Sequence, residues 1–178
     1  MKISAILFFV LLITNCSSDS GDASSTGSDN SSGNTTGTIM LLGADTAIIG
    51  TQLNTGFVGS SLAAGGQPDY IVIVDAASTV SFTEPNILTP NLADTDNGLI
   101  LVVTDASSIS GFKGISMSIS VGGIRNDYAC TTPVSTFIDC GINSISLDIG
   151  NKTIIFDNLI VTNTNTSTVL TINGTLTW

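Results

Sequence analysis

The side chains able to do chemistry here are few, and a missing one decides most. None of the 178 residues is histidine. That removes Ser-His-Asp and Cys-His catalysis, histidine proton shuttles and nearly all catalytic zinc sites. The cysteines are Cys16, Cys130 and Cys140. Thr131-Thr132-Pro133 turns the chain between the last two. In an oxidising compartment this predicts a Cys130–Cys140 disulfide across a hairpin, and a loop so short gains roughly 3 kcal/mol in the chain-entropy picture. A redox pair would more usually read Cys-x-x-Cys, and a metal site would need further Cys or His ligands.

The remaining chemistry rests on carboxylates. Asp94-Thr95-Asp96-Asn97-Gly98 superficially resembles a calcium loop. An EF-hand needs an acid or amide at its fifth position and Gly at its sixth, and here Gly98 and Leu99 stand there. Asp94 and Asp96 are therefore weak metal candidates, and no metal or other cofactor is expected. Residues 71–82 align without gaps on residues 101–112, placing Asp75 on Asp105, and a fainter third copy puts Asp45 after Leu41-Leu42. The spacing predicts a repeated strand, Asp-led turn and strand, the carboxylate accepting backbone N–H bonds two residues on. A cation set of Asp45, Asp75 and Asp105 is the rival reading. Ser110-x-x-Lys113 matches a penicillin-binding motif only by coincidence, since glycines break the helix turn that chemistry needs.

The elements that must position these residues read as strands nearly throughout. Ile115, Met117, Ile119 and Val121 alternate with serines, and Ile145, Leu147 and Ile149 with polar residues. Gly150-Asn151 predicts a two-residue turn, with Gly supplying positive φ. Residues 152–162 are apolar on both faces at Ile154-Ile155-Phe156, which predicts a central strand. The last strand, residues 168–178, should face Leu170, Ile172, Leu176 and Trp178 inward. Residues 54–69 and 83–98, rich in Gly or Pro, read as long irregular stretches of the kind that often carry function. The expected fold is all-β: an antiparallel β-sandwich with meander hairpins, or alternatively a small closed β-barrel.

The first residues hold a different signal. After Lys2, residues 3–13 are apolar except Ser4. Eleven helical residues span about 16 Å, half a bilayer core, so this is the apolar region of an export signal. The run Ile13-Thr14-Asn15-Cys16 resembles the lipobox of bacterial lipoproteins, although Asn15 stands where Gly, Ala or Ser is usual. The resemblance implies cleavage after residue 15 and lipid (palmitate or another acyl chain) on Cys16. Ser17, where Asp would retain a Gram-negative lipoprotein at the inner membrane, implies anchoring at the outer membrane.

The chain thus divides into a signal peptide (1–15), a lipidated Cys16 with a Ser/Gly/Thr/Asp tether (16–37) and one all-β domain (38–178). The tether has nothing to bury and should be disordered, with a reach of roughly 25 Å. In the domain, Lys113, Arg125 and Lys152 face eleven acids, so nucleic acid is not an expected partner. The composition fits a non-enzymatic surface, adhesion or ligand-binding module of the cell envelope. It would be held to the membrane by lipid, with its protein or glycan partner undetermined. Two alternatives stand beside it: an integral outer-membrane β-barrel, because alternation runs to a terminal Trp178, and a carbohydrate-active enzyme using Glu84, Asp94 or Asp96.

Overall fold

The computed structural model describes residues 29–62, 70–83, 87–105, 113–133, 137–141 and 143–178. The expected signal peptide, Cys16, Glu84 and Ser110 lie outside these residues. The fold is all-β and antiparallel. Its strands are β1 (Asp29–Asn34), β2 (Thr36–Gly43), β3 (Gln52–Leu53), β4 (Thr55–Leu62), β5 (Tyr70–Asp75), β6 (Thr79–Thr83), β7 (Ile87–Asn91), β8 (Gly98–Thr104), β9 (Lys113–Val121), β10 (Ile124–Thr132), β11 (Ile145–Asp148), β12 (Thr153–Asn163) and β13 (Val169–Thr177). A one-turn helix, α1 (Thr46–Ile49), interrupts them.

Eleven strands form one curled sheet in the order β1-β4-β5-β8-β9-β10-β12-β13-β2-β3, with β11 also paired to β12. Strands β6 and β7 form a second, two-stranded sheet. The alternation seen in the sequence sets which face is inside. Ile115, Met117 and Ile119 of β9 are buried in the same core as Ile39 and Leu41 of β2 and Leu170, Ile172 and Leu176 of β13. Curling brings these distant strands over one aliphatic interior. The predicted meander is present as β11-β12-β13, and Trp178 packs against the core as its terminal side chain.

Several expectations need correction. Residues 29–37 do not belong to the tether: β1 pairs with β4 from Asp29↔Leu62 to Asn34↔Phe57, and Gly37 pairs with Leu176. Ladder bonds come from the main chain, so a segment with no apolar side chains can still join a sheet edge. Only Thr35 separates β1 from β2, so one segment pairs first with β4 and then with β13 at the opposite side of the sheet. Within the expected irregular stretches, residues 55–62 form β4 and residues 87–91 form β7. The turn before β12 covers residues 149–152, and Lys152, not Gly150, takes the positive φ (48°). Asp148 organises it, accepting the Asn151 backbone N–H at 3.0 Å and its Nδ2 at 2.8 Å.

The repeat has a structural meaning. Aligned residues Val72 and Val102 pair with each other, flanked by Ile71↔Val103 and Ile73↔Leu101. The first strands of the two copies, β5 and β8, therefore meet as antiparallel neighbours about a local two-fold axis, and residues 106–112 of the second copy lie outside the described residues.

Candidate functional site

The outer face of β5, β8, β9 and β10 carries the cavities of interest. Val72 and Val74 of β5 point away from the main core and pack with Val80 of the second sheet. Where this cover stops, Tyr70, Val72, Ile87, Leu88, Pro90 and Val102 line a half-open apolar groove of about 330 Å³. Gly59 lets the cover come close, because a Cβ there would stand 2.5 Å from Val80 Cγ1.

Farther across the face the lining becomes polar. Strand β9 turns Ser116, Ser118 and Ser120 outward, and β10 answers with Arg125 and Asp127. Residues two apart on a strand share a face. Arg125 Nε donates to Asp127 Oδ1 at 2.6 Å, and Arg125 Nη2 to Ser118 Oγ at 2.9 Å. Ser118 Oγ donates to the same Asp127 Oδ1 at 2.5 Å. Burial raises the Asp127 pKa, but Ser118 and Arg125 outweigh it and the net shift is downward. Arg125 borders two cavities. One, of about 320 Å³, is lined by Thr104, Ser116, Asp127, Thr131, Phe137 and Thr164 among others. The other, of about 170 Å³, lies beside Thr95, Ser118 and Ser120.

The predicted carboxylates do not gather. Asp75 does what the turn reading expects: Oδ1 accepts the N–H groups of Ala77 and Ser78, and Oδ2 accepts Ser78 Oγ at 2.8 Å. Asp45 behaves differently. It precedes α1, yet its Oδ2 reaches across the fold to Thr168 Oγ1 (2.7 Å), Tyr128 Oη (2.9 Å) and Asn163 Nδ2 (3.1 Å). The Thr168 bond, against burial and with help from Tyr128 and Asn163, holds its carboxyl below the usual range. Burial and the neighbouring Asp45 push the Tyr128 hydroxyl well above its ordinary pKa. No local sequence signal could have found this junction, whose members lie on three distant segments.

Asp94 is committed to its own loop. Its Oδ2 accepts Asn97 Nδ2 at 3.1 Å and its Oδ1 accepts the Asp96 N–H at 2.8 Å, and these bonds lower its pKa. The loop then clasps the β9–β10 hairpin: Asn97 Oδ1 accepts the Gly122 N–H and the Asp96 carbonyl accepts that of Gly123, both at 2.9 Å. Among the described residues no group of three acids or cysteines could hold a metal ion. Lys113 is buried and its Nζ donates to the Ile145 carbonyl at 3.1 Å.

Cys130 and Cys140 are bonded, with Cα atoms 5.1 Å apart. The expected hairpin is not what joins them. Thr131 makes a parallel bridge with Asp139, donating its N–H to the Ile138 carbonyl and accepting that of Cys140. Residues 138–140 therefore run alongside β10 in the same direction. Thr132 and the Gly141 N–H hold the Asp139 pKa down.

No protein-family model, curated protein or solved structure matches this chain.

Proposed function

We propose that this protein is a lipid-anchored module of the cell envelope whose all-β domain binds a ligand without transforming it. The observation that carries the reading is the use made of the acids. Asp45, Asp94, Asp127, Asp139 and Asp148 all have pKa values below the ordinary carboxylate value, set by the hydrogen bonds they accept. None of these five offers the carboxylic acid held protonated near neutrality that a glycosidase requires. The outer face meanwhile offers formed cavities lined by apolar or hydroxyl groups, the kind of concavity that holds small ligands. The placement of side chains also supports a domain beside a bilayer over one spanning it. Aliphatic residues fill the interior and Ser116, Ser118 and Ser120 face out, whereas a membrane barrel puts polar groups inside.

The anchor in this reading is lipid on Cys16, following the lipobox resemblance, with the outer membrane as its site. Growth with labelled palmitate should mark the wild-type protein and leave Cys16→Ala unlabelled, with the variant released from the membrane fraction. Equal labelling of both proteins would overturn the anchor and the localisation.

A further inference from the structure

We infer that the cleft around Arg125 and Asp127 is a binding site for an uncharged glycan. This deepens the reading of the domain as a binding module and rests on it. Both side-chain bonds to Asp127 fall on Oδ1, and Oδ2 accepts none among the described residues. Arg125 donates to its neighbours through Nε and Nη2, and among the described residues no bond engages Nη1. The Arg125 side chain is 66% exposed and that of Asp127 33%. A carboxylate acceptor and a guanidinium donor thus stand side by side, facing solvent and fixed by Ser118. A hydroxyl both donates and accepts, so two neighbouring hydroxyls of a sugar satisfy such a pair together.

The charge balance selects against anions. Asp127 already compensates Arg125, and the domain around them is acidic, so a phosphate or carboxylate ligand would find no free cation here. The surroundings select for a polyol. Thr104, Ser116, Thr131 and Thr164 border the larger cavity, and Thr95, Ser118 and Ser120 the smaller. Ser118 Oγ is taken up by Arg125 and Asp127, and Thr164 Oγ1 donates to the Asp127 carbonyl at 3.3 Å; the hydroxyls of Thr95, Thr104, Ser116 and Ser120 are groups that can donate or accept, as sugar hydroxyls can. The serines of β9 repeat at roughly 7 Å, twice the rise of a strand residue. Phe137 adds an exposed ring at the rim of the larger cavity, an apolar surface for the C–H face of a sugar. Because Arg125 borders both cavities, a chain of sugar units fits better than a single one.

The test titrates the full-length chain with neutral hexasaccharides of glucose, mannose, galactose and N-acetylglucosamine. An oligogalacturonate and a neutral Gly/Ser peptide complete the probes. At least one neutral hexamer should bind the wild type, and at least ten times more weakly to Arg125→Ala, Asp127→Ala and Ser116→Lys. The last of these fills the cleft without removing the ion pair. Thr175→Lys, on a different part of the sheet, should bind like the wild type, and fluorescence of Trp178 should report the same fold in all. The assignment is overturned if no neutral hexamer binds, if the substitutions leave binding unchanged, or if the oligogalacturonate or the peptide binds more tightly. Sedimentation with delipidated envelope material separates the two levels. Cosedimentation without hexamer binding refutes the glycan and leaves a binding module, while failure of both refutes each.

Discussion

Replacing Asp45 with alanine should loosen the whole curled sheet, because one carboxylate oxygen ties three separate segments together. Its bonds go to Tyr128 in β10, Asn163 at the end of β12 and Thr168 just before β13. A hydrogen bond to a charged group contributes about 1.5–3 kcal/mol, but three on one oxygen do not add. The larger cost is the Tyr128 hydroxyl, whose residue is only 1% exposed and would lose its acceptor. A stranded buried donor costs about 1–3 kcal/mol, so Asp45→Ala should cost about 3 kcal/mol in all. Tyr128→Phe removes donor and bond together and should cost about 1 kcal/mol. In that background Asp45→Ala should cost less, and the difference measures the coupling. The readout is urea unfolding followed by Trp178, the sole tryptophan. Acid should act the same way. The folded Asp45 pKa is depressed, so its stabilisation is complete above the unfolded value of about 3.9 and disappears as pH falls through the folded value. The stability gap between wild type and Asp45→Asn should therefore close at strongly acid pH. A cost for Asp45→Ala under about 1 kcal/mol, or a gap that stays constant down to pH 2, would refute the reasoning.

Gly174→Ala should cost more than about 3 kcal/mol in the same urea assay, since its Cβ would stand 2.2 Å from the Thr38 carbonyl oxygen and its φ is +150°. Mass spectrometry of unreduced protein should find Cys130 and Cys140 joined, and Cys140→Ser should lower stability by roughly 3 kcal/mol; two free thiols would contradict the bond. Deleting residues 176–178 removes the fully buried Leu176 and the half-buried Trp178, at about 2–5 kcal/mol for each large core side chain. Circular dichroism should show that protein largely unfolded, while Thr175→Lys, at an exposed position, should unfold like the wild type.

Strands β9 and β13 were legible because each buries one alternating face, and burial is written into side-chain type; β12 is central as its apolar run suggested, but it too buries only one face, since Ile155 and Ile160 are exposed. Strand β4 was not. Its glycines read as loop, yet Gly56 and Gly59 are there because Ala76 and Val80 press on them, leaving no room for a Cβ. Strand β1 was hidden for a different reason: main-chain pairing leaves no mark on a Ser, Gly and Asn sequence. The Asp75 turn was readable because its partners are two and three residues away. The Asp45 junction joins residues more than eighty positions apart, and no spacing rule reaches that far. In the candidate cleft, Arg125-x-Asp127 shares a strand face by simple alternation and could have been noticed. Its partner Ser118 depends on the register of β9 with β10, which only the fold supplies.

The segment formed by β1 and β2 also fixes an order of events. Thr36 pairs with Thr177 and Gly43 with Leu170, so β2 closes on β13, the described strand farthest from it along the sequence. Nascent domains otherwise tend to fold from the amino terminus onward. Here β2 cannot complete its pairing until β13 is in place. Contacts this distant in sequence are slow to form, because the loop between them must first be closed. While it waits, the polar sequence of β1 offers little for other chains to stick to, and the apolar part of β2 is confined to residues 39–42. Sheet completion is therefore the act of β2 meeting β13, and a chain in which residues 169–177 have yet to fold still has an open rim.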